Sequence, residues 1–223
     1  MPVGARAASQ VVLLVLDGLG WEQLAERSSI APTLSAMVGG PITTVAPSTT
    51  STALTSIATG LTPGEHGLVG YRIDVSGEVM NVLRWHTAVG DVRRSIEPRR
   101  MQPFAPFLGE SVPVVSRAEL EGTAFTEAHM RGSRPRGWRS VSSIPVVVAE
   151  LLRSDERFVY AYYDGIDKIA HERGFGAHYD AELRLADRLV ADVLDALPTG
   201  ALLLVTADHG QVQVGDRLLT PHA

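Results

Sequence analysis

Three apolar runs in this chain stop at acidic residues, and no other feature narrows the possible folds as far. Val11 to Leu16 ends at Asp17-Gly18, and Phe158 to Tyr163 is followed by Asp164 and Asp167. Ala201 to Val205 leads into Thr206-Ala207-Asp208-His209-Gly210. Short continuous runs of this kind, bounded by turn formers such as Pro198 and Gly200, read as buried strands of a parallel sheet. Helical patterns separate them: Trp21 to Glu26, Pro32 to Val38 before Gly39-Gly40, and Ser143 with Pro145 through Leu152. From Tyr179 to Leu197, Leu183, Ala186, Val190, Val193 and Leu197 share one helical face. The alternation predicts an α/β fold with a mostly parallel central sheet and helices on both faces. Open sheets of this type hold ligands outside the carboxyl ends of their strands, where these acids fall.

The stretch after the first run is less regular. Ile42 to Val45 reads as a short strand broken by Pro47, and Ser48-Thr49-Thr50-Ser51-Thr52 then lead into a helix. Ala53, Leu54, Ile57 and Ala58 have helical spacing, and Gly60 stops it. Such a hydroxyl cluster ordinarily caps a helix. It also lies where free backbone N–H groups can hold an anion. Gly64-Glu65-His66-Gly67 reads as a turn, with His66 fixing it. Tyr71 to Val75 and Val79 to Leu83 alternate around Ser76-Gly77, predicting a small inserted hairpin. Residues 86–110 are rich in Pro and Arg without a clear period, Ser111 to Val115 reads as a strand, and Phe125 to Met130 as a helix. One sizeable core fits this length, so residues 1–223 are read as a single catalytic domain, with 84–141 as a specificity or cap segment inside it.

Composition removes several function classes. The net charge is −5, and the arginines of 93–100 and 131–139 are short local groups, which argues against a nucleic-acid-binding surface. The chain has no cysteine, so disulfides, thiolate metal sites and Cys nucleophiles are excluded. No signal-like segment precedes Val11, and the run to Leu16 is far below the roughly 20 residues that span a bilayer. A cytoplasmic protein without a membrane partner is the expectation, and no motif sets an oligomeric state. His86, His129 and His178 lack partners at metal spacing and read as surface residues. Asp164 reads as a solvated strand-end carboxylate, and Trp21, Trp85 and Trp138 as packing residues.

Asp and His side chains supply the oxygen and nitrogen donors that suit zinc or manganese. Asp167 and His171 are four residues apart, so a helix would present both on one face. Acid and acid–His sets at three strand ends, together with hydroxyls at a helix start, are what a two-metal phosphoryl-transfer site needs. Two dications about 4 Å apart can clamp the attacking and leaving oxygens, and a bound ion can activate a hydroxyl at neutral pH.

These residues carry a resemblance to the alkaline phosphatase superfamily, in its type I phosphodiesterase/nucleotide pyrophosphatase branch. The matching segments are Leu14-Val15-Leu16-Asp17-Gly18, Pro47-Ser48-Thr49-Thr50 and Thr59-Gly60-Leu61-Thr62-Pro63-Gly64-Glu65-His66-Gly67. Asp167 with His171, and Thr206-Ala207-Asp208-His209-Gly210, complete the set in the family's order. The resemblance implies hydrolysis of a small-molecule phosphate ester, phosphodiester or nucleotide pyrophosphate-like bonds first, with two divalent ions, zinc or else manganese. It implies that Thr50 is the nucleophile and that Asp17, Thr50, Asp208 and His209 hold the ion that activates it. Asp167 and His171 resemble two ligands of the second ion.

Two departures accompany the resemblance. The family's second ion takes a further histidine downstream, and the only later one here is His222, thirteen residues after His209. The expectation is therefore a chain incomplete at its C-terminus. Where nucleotide pyrophosphatases have a phosphate-binding Asn, this chain has Tyr71, whose phenol can still donate; Asn81 is a nearby substitute. Phosphomonoester or phosphonate hydrolysis at the same site, and a non-catalytic remnant without a complete second metal site, are the alternatives. Sulfatase chemistry is excluded by the absence of cysteine and of the corresponding serine motif.

Overall fold

The computed structural model describes residues 7–214, so His222 lies outside the described residues. In chain order the elements are β1 (Gln10–Leu16), α1 (Trp21–Glu26), α2 (Pro32–Ala36), α3 (Thr50–Thr59) and α4 (Pro63–His66). Then follow β2 (Arg72–Val75), β3 (Glu78–Asn81), β4 (His86–Thr87), β5 (Gly90–Asp91), α5 (Pro98–Met101) and β6 (Pro113–Val115). The chain continues through α6 (Ala124–Met130), β7 (Arg134–Pro135), α7 (Ser143–Arg153), β8 (Phe158–Tyr163), α8 (Gly165–Arg173), α9 (Ala177–Ala196) and β9 (Ala201–Thr206). Among the described residues, no helix is long and apolar enough to cross a membrane.

The central sheet has five strands in the order β7-β6-β8-β1-β9, every pair parallel. Parallel neighbours cannot be joined by tight turns, so each connection carries helical chain across a face. Side-chain alternation divides the core accordingly. Val12, Leu14 and Leu16 of β1, with Val159, Ala161 and Tyr163 of β8, pack against apolar residues of α7 and α9 such as Val148, Leu152, Leu183 and Val190. Val15, Tyr160 and Tyr162 point the other way, toward Leu54 and Ala58 of α3, Phe125 and Ala128 of α6, and Met80 of β3. Burial of each such Leu or Val stabilises the fold by roughly 1.5–3 kcal/mol. The predicted α/β class with helices on both faces is therefore what the chain adopts. A separate four-stranded antiparallel ladder, β2-β3-β4-β5, contains the predicted hairpin. Within residues 84–141, β6 and β7 join the central sheet, while β4, β5 and α5 stand apart from it.

Local chemistry explains several helix ends. Asp187 is buried in α9 because its carboxylate accepts from the backbone N–H groups of Thr33 and Leu34 (3.2 and 2.8 Å), at the start of α2. A negative charge there satisfies donors that the helix itself cannot. Gly64 to Gly67, read as a turn, is one helical turn with a capping box between Thr62 and Glu65. His66 does fix this corner: its Nδ1 accepts from the Leu68 N–H at 3.2 Å, so Nε2 donates to Ser56 Oγ at 2.9 Å.

Other sequence expectations are corrected. Ile42 to Val45 forms no strand; Ile42 is exposed, and the Thr44 hydroxyl donates to the Asp208 carbonyl instead. β9 is an edge strand paired with β1, and of its six residues only Leu203 is fully buried. An apolar run does not distinguish an edge from a centre, because apolar content does not record how many neighbours a strand has. Asp164 is buried rather than solvated, held by Lys168 and, at 3.8 Å, by Arg117. Trp85 and Trp138 are packing residues as read, whereas Trp21 is exposed.

His129, expected on the surface, is buried in α6, stacked on Phe125 with ring centroids 4.0 Å apart. Its Nδ1–H donates to the Phe125 carbonyl at 2.7 Å, and burial pulls its pKa down to about 4. The unfolded chain takes up this proton near pH 6.5, whereas the folded chain resists until about pH 4. Stability from this group is thus complete above pH 6.5 and is lost as pH falls toward 4, by about 3 kcal/mol in total. Denaturant midpoints at pH 7 and pH 4.5 should differ less in His129→Phe than in the parent. Equal pH dependence in both would contradict this assignment.

Candidate metal centre

The first acid, Asp17, directly follows β1, and its N–H donates to the Tyr163 carbonyl at 2.9 Å, continuing the ladder with β8. Asp208 and His209 follow β9 on the other side of β1. The two loops can meet because Gly20 and Gly210 touch backbone to backbone: a Cβ on Gly20 would lie 2.9 Å from Gly210 Cα. Gly18 has φ +71°, and a Cβ there would come within 3.0 Å of Asp167 and closer still to Gln211. The sequence Asp17-Gly18 is therefore a requirement of crowding around the acids.

Both carboxylates are deeply buried, Asp17 at 2% and Asp208 at 1% exposure. Asp17 Oδ2 accepts from the Tyr162 hydroxyl. Asp208 Oδ1 accepts from the N–H groups of Gly18 and His209, at 3.1 and 3.0 Å. The remaining oxygens, Asp17 Oδ1 and Asp208 Oδ2, have no hydrogen-bond partner among the described residues. Burial, then the charges of Asp208 and Asp167, hold the Asp17 carboxyl well above its ordinary range. Burial also raises Asp208, with His209 and the Gly18 N–H pulling the other way. Buried acids without partners are costly unless an ion compensates them.

His209 is arranged to meet them. Its Nδ1 lies 3.0 Å from the Gly210 carbonyl, which can only accept, so Nδ1 carries the proton and Nε2 presents a lone pair. Ligating histidines characteristically donate their second nitrogen in this way. Asp17 Oδ1 lies 3.4 Å from Nε2, Asp208 Oδ2 3.7 Å and Thr50 Oγ1 3.1 Å. A tetrahedral ion with bonds of about 2.0–2.2 Å keeps its donor atoms about 3.4 Å apart. The donor set and its two orphaned oxygens therefore fit a divalent cation.

Thr50 is the first residue of α3 and is half-buried, and among the described residues no side chain caps the helix. Its neighbour Ser51 is buried, with Oγ donating to the Gly70 carbonyl at 2.9 Å. That bond brings Tyr71 beside the helix start. The half-exposed Tyr71 oxygen accepts from Asn81 Nδ2 at 2.7 Å, and Asn81 Oδ1 accepts from the Arg84 N–H at 3.1 Å. The phenolic hydrogen of Tyr71 is left free to donate.

Asp167 and His171 lie on α8, one helical turn apart, with His171 Nε2 3.3 Å from Asp167 Oδ1. The His171 side chain is 74% exposed, so it sits at the rim. Asp17, Asp167 and His209 offer donor atoms all within 4.8 Å of one another, which brings Asp167 of the second predicted set beside two residues of the first, while His171 is not part of this group. Gln211 and Tyr162 were not singled out by sequence reasoning. Gln211 Nε2 donates to Asp167 Oδ1 at 2.6 Å, and its only sequence signal is a polar residue just after the last motif. The signal for Tyr162 is the strand period of β8 in register with β1.

The family model described as type I phosphodiesterase/nucleotide pyrophosphatase matches residues 11–220. Among solved structures, the chain is similar to murine ectonucleotide pyrophosphatase/phosphodiesterase 5, with TM-score 0.66 at 15% identity. It is likewise similar to an inactive threonine-to-alanine form of that protein in complex with AMP, with TM-score 0.65 at 15% identity. Each match covers 90% of this chain but 57% of the other, a likeness of fold over little more than half the larger protein. No curated protein matches.

Proposed function

Because this chain belongs to the type I phosphodiesterase/nucleotide pyrophosphatase family, we propose that it is a metal-dependent hydrolase of phosphodiester or nucleotide pyrophosphate-like bonds, with Thr50 as nucleophile. One observation carries the reading: the orphaned oxygens of Asp17 and Asp208 and the Thr50 hydroxyl all surround the lone pair of His209. Asp17, Thr50, Asp208 and His209 would hold one divalent cation, zinc or manganese. Asp167 and His171 would contribute to a second. When bound, the ions supply positive charge to phosphoryl oxygens and lower the pKa of a coordinated hydroxyl.

The chain's own groups do the rest. Thr50 Oγ forms a bond to phosphorus as the ester bond to the leaving oxygen breaks, and water later cleaves the threonyl phosphate. The uncapped start of α3 directs N–H groups and the positive end of its dipole toward the phosphoryl oxygens. Tyr71, oriented by Asn81, donates its free hydroxyl hydrogen to the substrate. The murine structure that holds AMP is an inactive threonine-to-alanine form, which supports a threonine in this role.

The test is hydrolysis of aryl phosphate diesters, monoesters and an aryl phosphonate by the purified chain with zinc or manganese. Diester turnover should exceed monoester turnover, vanish with chelator and return with metal. No turnover of any ester by the metal-loaded chain would end the hydrolase reading, and monoester preference would change its substrate class.

A further inference from the structure

We propose that Tyr162 on β8 is a positioning residue for this centre: its phenol holds one oxygen of Asp17 so that the other is presented to a divalent cation. The inference rests on reading Asp17 as a metal ligand. Parallel register pairs Tyr162 with Val15, and Asp17 lies two residues beyond Val15. Both side chains therefore leave the sheet on the same face. The Tyr162 hydroxyl donates to Asp17 Oδ2, while Oδ1 has no partner among the described residues and lies 3.4 Å from His209 Nε2.

An aspartate carboxylate turns easily about its last torsion, and a turn would exchange its two oxygens. Tyr162 removes that freedom because its ring is fixed in the core formed by α3, α6 and the sheet, and the residue is only 7% exposed. Packing alone would be met by phenylalanine without the burden of a buried hydroxyl. Tyr160 gives an internal contrast. It stands two residues earlier on the same face, is buried too, and its hydroxyl has no partner among the described residues.

Zinc or manganese titration of the chelator-stripped chain tests this without any need for turnover. Tyr162→Phe should weaken the tighter ion by about 10–100-fold, the scale of effects from groups that orient a ligand. The metal-free chain should also melt somewhat lower, because the buried Asp17 Oδ2 then loses its partner, so the affinity is read at a temperature where both chains are folded. Tyr160→Phe, the matched control, should bind the ion as the parent does. In an Asp17→Asn background, Tyr162→Phe should cause no further loss, because the group it acts through no longer ligates. Parental affinity in Tyr162→Phe would overturn the inference, and so would an equal loss in both backgrounds. A chain that shows the expected losses but hydrolyses no ester would keep this inference while ending the hydrolase reading.

Discussion

Thr50→Ala is expected to lower diester turnover by about 10³-fold or more, the scale of loss when a nucleophile is deleted from an otherwise intact site. Thr50 is the hydroxyl that faces His209 Nε2, at 3.1 Å, and it opens α3 where an anion would meet free N–H groups. Ser51 is committed to the Gly70 carbonyl and is buried, so Ser51→Ala should act on stability before chemistry. Thr50 is half-buried and its one side-chain hydrogen bond among the described residues is to His209, so its alanine variant should melt close to the parent. Metal binding should weaken only modestly, since Asp17, Asp208 and His209 remain. Thr50→Ser keeps an oxygen nucleophile and should recover part of the rate. Parental kcat in Thr50→Ala, measured with metal saturating, would remove Thr50 from the reaction.

The sequence exposes this part of the site because its chemistry is tied to strand ends. An apolar run that stops at an acid locates both the strand and the side chain at its mouth, which is why Asp17 and Asp208 were legible, whereas the run of β8 stops at Asp164 and Asp167 lies in the first turn of α8. Helical spacing did the same for Asp167 and His171, which α8 carries one turn apart. Pattern alone could not rank the strands. β9 looks as apolar as β1 yet lies at the sheet edge, and apolar content does not record how many neighbours a strand has. Nor could it foresee Ile42 to Val45, whose β-branched residues stay unpaired while Thr44 turns to the Asp208 carbonyl.

What stayed hidden is made by contacts between distant segments. The bonds from Tyr162 to Asp17 and from Gln211 to Asp167 depend on strand register and on loop crossing. His129 was misjudged for a related reason: its burial depends on Phe125 and the packing of α6, not on its own spacing to other histidines. The tautomer of His209 is set by the carbonyl of the next residue, a bond that only the loop conformation reveals.

Asp17→Asn is expected to move stability and metal binding in opposite directions. In the metal-free chain Asp17 Oδ1 and Asp208 Oδ2 are buried with no hydrogen-bond partner among the described residues, and burial and the neighbouring acids hold the Asp17 carboxyl well above its ordinary range. Such an arrangement serves a cation at the expense of the empty fold. An amide at position 17 can still accept the Tyr162 hydroxyl, and its NH₂ would face His209 Nε2, where Oδ1 now sits at 3.4 Å. The metal-free variant should therefore be more stable than the parent by about 1–3 kcal/mol, within the range found when buried charge is replaced by neutral groups. A cation at 100 times its dissociation constant would raise the parent by about 2.7 kcal/mol, and the variant by far less. The ranking of the two melting temperatures should thus narrow or invert when zinc or manganese is added. A variant that melts lower than the parent without metal would mean that the carboxylate is compensated within the fold. An undiminished metal-induced shift in the variant would mean that the ion binds elsewhere, and Asp17 would then have no claim to the centre.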